Sequence, residues 1–326
     1  MQKGQKGGSK ILMISKKEAE EIVAQHLDIK RLKRIIRNTS VVAWKKKISD
    51  EKIEQWLTNF DGSYFDNVEN EKKLALWLLA HFSYFTMDDI RVLCKNLFNK
   101  YLHEKLRNYS GTDLQQGINA IIDNTIFVGL GNDSESGNNI LYYFRQESLL
   151  SKRSFEIDTE RTYENLVYID DVTISGEQAL KYIKSRKINA QNTYVAVLMA
   201  TEDAIKKLSA RRNGVKPIST MILDQRDRVF SDSTYVFSEK RIADIREAAR
   251  EFCELYGKRA VKNCGYMTNY PLGFDDGQYM ISFEYNTPDN TLPIFWGTGN
   301  GWIPLFTRHP KIDKEEEYVL DGRKYY

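Results

Sequence analysis

The spacing of apolar residues divides the chain into a helical first part and a second part that mixes strands with helices. Between residues 15 and 107 apolar side chains recur every three or four positions, which is the spacing of a buried helix face. The pattern predicts helical segments over residues 15–37, 49–62, 71–85 and 86–107. The first part of the chain is therefore expected to be all-helical.

From about residue 117 onward, short apolar runs of the strand type alternate with helical spacing. The predicted strands lie at residues 125–129, 166–169, 193–200 and 218–224, and the predicted helices between them at 140–149, 177–187 and 204–210. Strands that alternate with helices are typical of α/β proteins with a parallel sheet. A charged amphipathic helix is expected at residues 238–258, and a strand at 279–285.

These patterns suggest four regions. Residues 1–12 are expected to be a disordered tail, residues 13–112 a helical N-terminal region, residues 113–260 the α/β core, and residues 261–326 a C-terminal extension. The extension combines a strand with segments rich in proline and aromatic residues. Two interpretations of these aromatic segments stay open: they pack against the core, or they form a lid or stacking surface for a base.

Composition adds limits on the class of partner. Hydrophobic residues make up 41% of the 326 residues and charged residues 29%, so a sizeable core is expected. The net charge of +3 does not by itself indicate nucleic-acid binding. Two basic clusters, at residues 30–37 and 45–47, are either solvated or contact nucleic acid or an acidic partner protein.

Compartment and membrane contact can also be judged from the sequence. The three cysteines, Cys94, Cys253 and Cys264, have neither zinc-ligand spacing nor an evident pairing pattern. No apolar run approaches the roughly 20 residues that span a bilayer, and the N-terminus lacks an apolar signal core. We therefore expect a cytoplasmic protein without membrane contact.

The strongest chemical pattern lies at residues 166–178. Four apolar residues of a predicted buried strand lead into Asp170 and Asp171; a turn of small and hydroxyl-bearing residues follows, and then a helix begins. Ligands of α/β sheets bind beyond the carboxyl ends of strands, and a helix N-terminus offers unpaired N–H groups to a phosphate. Two neighbouring carboxylates suit ribose hydroxyls or a magnesium ion. The alternative is an ordinary strand-to-helix turn with solvated acids.

The order of these thirteen residues resembles the phosphoribosyl pyrophosphate (PRPP) signature of type I phosphoribosyltransferases. The resemblance implies that Asp170 and Asp171 hold the ribose hydroxyls and a magnesium ion as the catalytic and metal-binding pair. It implies that the following turn holds the 5-phosphate, through Thr173, Ile174, Ser175, Gly176, Glu177 and Gln178. The family often has a hydroxyl-bearing residue at the position of Ile174, and Gly or Thr near Glu177 and Gln178.

The resemblance also assigns the loops that follow two other strands. The loop after the strand at 125–129 would hold pyrophosphate, through Gly129, Gly131, Ser134, Ser136 and Gly137. Arg226 and Arg228, at the end of the strand at 218–224, are expected to contact phosphate or base, although a surface ion pair is the alternative. The expected fold is a parallel-sheet type I phosphoribosyltransferase-like core.

Three C-terminal pieces, Asn286–Pro288, Leu292–Trp296 and Trp302–Phe306, look similar to phosphoribosyltransferase-like effectors of bacterial conflict and phage-defence loci, including retrons. The resemblance implies an effector that binds PRPP or a related nucleotide with magnesium and transfers or cleaves at the anomeric carbon. Two alternatives stay open: a sensor that binds without turnover, and a subunit that contacts nucleic acid or other defence proteins through its basic N-terminal helices.

Overall fold

The computed structural model describes residues 14–107, 109–131, 136–186, 188–309, 319–320 and 323–324. The tail predicted at residues 1–12 and the candidate loop residue Ser134 lie outside the described residues.

The α-helices of the described residues fall into two groups along the chain. The first six precede the main sheet: α1 (Lys16–His26), α2 (Ile29–Val42), α3 (Asp50–Leu57), α4 (Val68–Ala80), α5 (Met87–Leu106) and α6 (Leu114–Asp123). The other four alternate with its strands or follow it: α7 (Ser136–Ser148), α8 (Glu177–Ser185), α9 (Glu202–Leu208) and α10 (Arg246–Ala260).

The strands form one four-stranded sheet and two small pairs. They are β1 (Ser83–Phe85), β2 (Thr125–Gly129), β3 (Tyr163–Thr173), β4 (Ala190–Thr201), β5 (Val215–Leu223), β6 (Ile281–Phe283), β7 (Val319–Leu320) and β8 (Arg323–Lys324). The main sheet is entirely parallel, in the order β2-β3-β4-β5, while β1 pairs with β6 in parallel and β7 with β8 in antiparallel. The predicted α/β fold with a parallel sheet is confirmed.

Helices cover both faces of the main sheet. On one face, Phe127, Val167 and Ile169 pack with apolar residues of α5 and α7. On the other face, Leu166 and Tyr168 pack with residues of α8 and α9. Since successive strand residues point to opposite faces, a parallel sheet covered on both faces requires nearly continuous apolar strands, as β3 and β4 are.

A second core joins the N-terminal helices with the C-terminal part of the described chain. It combines apolar residues of α1 to α4 with α10 and with the segment that follows it. Phe295 stacks on Trp56 with ring centroids 5.4 Å apart, and Phe306 stacks on Phe82 at 4.2 Å. Both phenylalanines are almost completely buried, so these aromatic side chains pack in a core and do not form an exposed stacking surface. The region boundaries at residues 112 and 260 stay predictions, since a shared core does not define where a folding unit ends.

Two predicted helices differ from the structure. The segment at residues 15–37 is two helices, because Asp28 caps a new start by accepting a hydrogen bond of 2.6 Å from the Arg31 N–H. The helix predicted at residues 71–85 ends at Ala80, and Ser83–Phe85 forms β1 beside β6. The partner strand lies almost 200 positions away, which local apolar spacing cannot reveal.

The basic clusters carry both paired and unpaired cations. Lys33 pairs with Glu54, Arg37 with Asp50, and Lys47 with Glu284. Among the described residues, no ion pair involves the other five cations, which are Lys30, Arg31, Arg34, Lys45 and Lys46. Across the part of the chain that is described, no helix is both long and apolar enough to cross a membrane.

Candidate functional site

The two acids lie near the carboxyl end of β3, the second strand of the main sheet. Asp170 pairs in register with Val197 of β4, and the preceding Ile169 pairs with Gly129 at the end of β2. Neighbouring strand residues point in different directions, so the two carboxylates have different surroundings. Asp170 contacts the start of α7, and Asp171 contacts Tyr285 of the C-terminal segment.

The Asp170 carboxylate is held by two donors. Its Oδ1 accepts a hydrogen bond of 2.8 Å from the Ser136 hydroxyl and one of 2.9 Å from the Asp171 N–H. Burial and the neighbouring Asp171 nonetheless raise the pKa of Asp170 well above its usual value. The pair therefore favours ligands that donate hydrogen bonds or carry positive charge, since both stabilise the ionised carboxylates.

Asp171 is more deeply buried, with 6% of its surface exposed. Its Oδ1 accepts a hydrogen bond of 2.7 Å from the Val172 N–H, and its Oδ2 accepts one of 2.7 Å from the Tyr285 hydroxyl. Burial and the nearby Asp171 raise the pKa of Tyr285 well above its usual value, so the phenol is neutral and acts as donor. Both oxygens of Asp171 thus have partners within the protein.

The bend after the acids turns β3 into α8. Gly176 caps α8 with a φ of +71°, a left-handed conformation that glycine adopts without strain. The Thr201 hydroxyl donates a hydrogen bond of 2.5 Å to the Ile174 carbonyl and fixes the bend against β4. The first N–H groups of α8 lack acceptors within the helix, which makes this terminus suitable for an anion.

Side chains in the bend modify that suitability. The Ser175 hydroxyl oxygen accepts a hydrogen bond of 3.3 Å from the Glu177 N–H, and Thr173 is buried. Glu177 and Gln178 are exposed, and the Glu177 carboxylate forms an ion pair with Lys207 of α9. This lysine offsets the negative charge that Glu177 places at the helix N-terminus.

The loop after β2 reaches the acids through the start of α7. Leu130 donates a backbone hydrogen bond of 2.8 Å to the Ile169 carbonyl, and Gly131 has a φ of +106°. A Cβ on Gly137 would lie 2.1 Å from the Leu130 carbonyl oxygen and 2.9 Å from that of Ile169. Only glycine permits this close approach, which brings Ser136 to Asp170.

Gly129 has a similar packing role. A Cβ there would lie 2.4 Å from the Asn138 Oδ1, so this glycine allows α7 to pack against the end of β2. The structure thus brings Gly129, Ser136 and Gly137 to the same edge of the sheet as the acids.

Arg226 and Arg228 contact residues other than the two acids. Arg226 forms an ion pair with Asp224 and lies over the Tyr235 ring, while Arg228 donates a hydrogen bond of 2.7 Å to the Asp276 carbonyl. Both follow β5, which β4 separates from β3, and their described contacts do not include the acid pair. These contacts include ion pairs of both arginines, and contact of either arginine with phosphate or base stays a prediction.

Arg226 also borders a small cavity at the ends of β4 and β5. The cavity measures about 170 Å³ and lies between the ends of β4 and β5 and the β1–β6 pair. Met199, one of its lining residues, pairs in register with Val172, the residue after Asp171. The lining is largely apolar, and includes Phe85, Met199, Met221, Leu223, Met280, His81 and Arg226.

Tyr285 is the site residue that the sequence does not identify. It lies 114 positions after Asp171, and its pattern predicts only membership of a strand. No local signal links a tyrosine hydroxyl to a distant carboxylate, so this contact depends on the tertiary structure.

The oxygen donors of the site suit magnesium only if the ligand completes its coordination. Among the described residues, no group of three or more His, Cys, Asp or Glu side chains is placed to hold a metal ion. Magnesium in proteins commonly takes one or two carboxylates and completes its shell with phosphate oxygens and water. Asp170 and Asp171 match that donor set.

Fold and site together define an α/β protein with paired acids at the end of a parallel strand, between the starts of two helices. The family model described as PRTase-CE matches residues 53–308, which is more than half of the chain. The chain therefore belongs to the PRTase-CE family, and the resemblance to phosphoribosyltransferases is confirmed.

Solved structures show weaker similarities to this chain, including the following three. The orotate phosphoribosyltransferase from Aeropyrum pernix is 16% identical, with a TM-score of 0.22, over 33% of this chain and 72% of its own. A hypothetical protein from Neisseria gonorrhoeae with bound ppGpp is 17% identical, with a TM-score of 0.27. The match covers 52% of this chain and 97% of that protein. The AQ2163 protein from Aquifex aeolicus is 13% identical, with a TM-score of 0.27. The match covers 54% of this chain and 86% of that protein. A comparison with curated proteins found no match.

Proposed function

We propose that this protein binds PRPP, or a related ribose phosphate or nucleotide, together with magnesium at the end of β3. The observation that carries the proposal is the position of Asp170 and Asp171 between the starts of α7 and α8, with Ser136 bonded to Asp170 at 2.8 Å. Carboxylates accept hydrogen bonds from sugar hydroxyls, and helix N-termini stabilise phosphates. Membership of the PRTase-CE family supports the same ligand class.

Each part of the site has a role in this proposal. Asp170 and Asp171 hold the ribose hydroxyls, and the bend at residues 173–178 holds the 5-phosphate with its backbone N–H groups. The loop after β2, with Gly129, Gly131, Ser136 and Gly137, faces the pyrophosphate. The cavity of about 170 Å³, which Met199 of β4 lines, holds the base or acceptor against its apolar lining.

The reaction we propose is transfer or cleavage at the anomeric carbon. Bond breaking there builds positive charge on the sugar and negative charge on the leaving pyrophosphate. Ionised Asp170 and Asp171 orient the ring and stabilise the first charge, and the N–H groups at the two helix starts stabilise the second. Bound magnesium would add a positive charge that stabilises the leaving group.

The biological setting that we propose is bacterial anti-phage defence, with the protein as the effector. The support for it is the resemblance of the C-terminal segments to proteins of such loci.

Calorimetry tests the ligand. Wild-type protein is titrated with PRPP, ribose 5-phosphate, nucleotides and NAD, with and without MgCl₂, and a parallel assay follows release of pyrophosphate or free base. We expect magnesium-dependent binding of a ribose phosphate, abolished in the Asp170→Asn/Asp171→Asn double variant. An exposed pair on α9, Glu202→Gln/Asp203→Asn, is the matched control. Equal affinity in wild type and a folded double variant would rule the site out.

A sensor without turnover is the second candidate. It is favoured by Tyr285, which already bonds Asp171, and by the Glu177 carboxylate at the start of α8. Binding of PRPP without any product over hours would select the sensor, and product formation would select the enzyme.

Contact with nucleic acid or a partner protein is a separate possibility for the N-terminal helices. Its support is the five cations at residues 30–46 that have no ion pair among the described residues. Binding of duplex or single-stranded DNA that weakens steeply with salt, and is lost in Lys30→Glu/Arg31→Glu/Arg34→Glu, would support nucleic acid. Arg211→Glu/Arg212→Glu/Lys240→Glu is the control, since these three residues are also exposed.

A further inference from the structure

Tyr285 connects the acid pair with the C-terminal segment. It lies two residues after β6, its ring stacks on Phe283 with centroids 5.7 Å apart, and its hydroxyl donates a hydrogen bond of 2.7 Å to Asp171 Oδ2. The other oxygen of Asp171 accepts from the Val172 N–H at 2.7 Å. Every oxygen of this carboxylate is therefore engaged by the protein itself.

A phenol hydroxyl and a sugar hydroxyl are the same kind of donor: both are neutral O–H groups that bond a carboxylate at about 2.7 Å. We infer that the Tyr285 hydroxyl occupies the position on Asp171 Oδ2 that a ribose hydroxyl takes, so that the sugar competes with the tyrosine for this carboxylate. The inference rests on the proposed function and adds a control of the same site.

The surroundings explain why a tyrosine serves this purpose. Asp171 is only 6% exposed, and a buried carboxylate without a donor is costly. Tyr285 satisfies the carboxylate when no ligand is present, and it does so without adding a charge. A ligand that displaces the tyrosine therefore loses part of its hydrogen-bond energy to the bond it replaces.

The neighbouring residue shows what holds Tyr285 in place. Glu284 accepts a hydrogen bond of 2.9 Å from the Met87 N–H at the start of α5, and it forms an ion pair of 2.7 Å with Lys47. The Glu284 N–H in turn donates to the Phe85 carbonyl at 2.8 Å. Because Lys47 follows α2, the helical region helps to fix the tyrosine on Asp171.

Ligand titrations of Tyr285→Phe test the inference. The variant keeps the ring that stacks on Phe283 and removes only the competing hydroxyl. In MgCl₂ we expect PRPP and ribose 5-phosphate to bind about three- to tenfold more tightly than to wild type, the range of a single hydrogen bond. Pyrophosphate has no hydroxyl to place on Asp171, so its affinity should not change.

A matched control removes a similar contact elsewhere. The Tyr266 hydroxyl donates a hydrogen bond of 2.8 Å to Asp289, so Tyr266→Phe removes a tyrosine–carboxylate bond of similar length away from the acid pair. Its affinities for PRPP, ribose 5-phosphate and pyrophosphate should equal those of wild type. Unchanged or weaker PRPP binding in Tyr285→Phe would overturn the inference.

A second variant weakens the hydrogen bond between Tyr285 and Asp171 indirectly, through a residue of the helical region. Lys47→Ala frees one oxygen of Glu284 and should tighten PRPP binding in the same direction, with no further gain when combined with Tyr285→Phe. Lys17→Ala, an exposed lysine of α1, is its control. If Tyr285→Phe does not fold, Lys47→Ala decides alone: tighter binding supports the inference and unchanged binding overturns it.

The two proposals fail in different ways. If neither wild type nor any variant binds a ribose phosphate, the proposed function fails, and the inference with it. If wild type and Tyr285→Phe bind PRPP equally well, only the inference fails. Binding by Tyr285→Phe where wild type shows none would support both.

Discussion

The Ser136 hydroxyl donates a hydrogen bond of 2.8 Å to Oδ1 of Asp170, although the two residues lie 34 positions apart. The bond joins two consecutive strand–helix units at one edge of the sheet. Backbone packing at Gly137, the residue after Ser136, makes the approach possible. The start of α7 therefore lies beside Asp170.

Replacement of Gly137 tests this packing. In Gly137→Ala the new Cβ would lie 2.1 Å from the Leu130 carbonyl oxygen, so the start of α7 must move. We expect a loss of about 3 kcal/mol in the free energy of unfolding, the upper part of the usual range for overpacking, together with weaker PRPP binding. Urea denaturation measures the first effect and calorimetry the second.

The control for this variant is Gly214→Ala. Gly214 has a φ of +63°, but no atom lies within 4 Å of its would-be Cβ, so only a conformational cost of about 1–2 kcal/mol is expected. Equal losses in the two variants would contradict the close-packing argument.

Glu71 carries a buried hydrogen-bond network in the second core. Its carboxylate is fully buried and accepts bonds from the Gly62, Tyr64 and Phe65 N–H groups and from the Tyr256 hydroxyl, at 2.6–2.9 Å. Glu71→Gln replaces one acceptor oxygen by an amide that faces these donors, and we expect a loss of about 3 kcal/mol in the free energy of unfolding. Glu69→Gln, on the exposed face of the same helix, should change it by less than about 0.5 kcal/mol. A small effect at both positions would show that the network contributes little.

Replacement of Phe295 tests whether the N-terminal helices and the C-terminal segment stabilise each other. Its ring is fully buried and stacks on Trp56. The Trp56 indole N–H donates a hydrogen bond of 2.7 Å to the carbonyl of Ile294, the residue before Phe295. Phe295→Ala should cost about 3–5 kcal/mol because the cavity opens between the N-terminal helices and the C-terminal segment. The change in chemical denaturation midpoint, compared with that of Tyr142→Ala at an exposed ring, measures this. Independent N-terminal folding predicts a small effect instead.

Stability should depend on pH through Asp61. The hydrogen bond from the Ser63 side chain, together with the positive charge of Arg259, lowers the pKa of Asp61 to about 2. Since the unfolded chain has an aspartate pKa of about 3.9, the ionised carboxylate stabilises the fold above that pH, and the contribution is lost as pH falls toward 2. Melting temperatures of wild type and Asp61→Asn should therefore differ most above pH 5 and converge near pH 2.

Asp66→Asn is the control for the pH series. Asp66 is exposed, and among the described residues no partner contacts its carboxylate. Its melting curve should follow wild type over the whole range. A constant difference between wild type and Asp61→Asn down to pH 2 would contradict the linkage.

The sequence predicts some strands correctly and others not. β3 and α8 follow from one continuous stretch, because the apolar run, the acids, the glycine and the helical spacing are all local. The sequence predicts helix where β1 lies, since the strand that pairs with it, β6, is distant along the chain and the three residues Ser83–Phe85 carry no strand pattern of their own. The apolar spacing of the C-terminal segment likewise indicates neither burial nor exposure.

Within the candidate site the division is similar. The strand, bend and helix that carry Asp170, Asp171 and Gly176 are a local pattern, whereas the hydrogen bonds of Ser136 and Tyr285 to the acids join distant segments. Arg226 and Arg228 form ion pairs with Asp224 and Asp276, and their contact with phosphate or base stays a prediction. Their positions follow from the loop after β5, which local spacing does not describe.

The sequence alone determined the alternating strands and helices, the acidic pair at a strand end and the resemblance to phosphoribosyltransferases, because each is encoded in the order of neighbouring residues. Only the tertiary structure decided that the two chain ends share a core and that a tyrosine 114 positions away bonds Asp171. The physical reason is that side-chain contacts between distant segments depend on how sheets and helices pack, and packing acts on distances in space rather than along the chain.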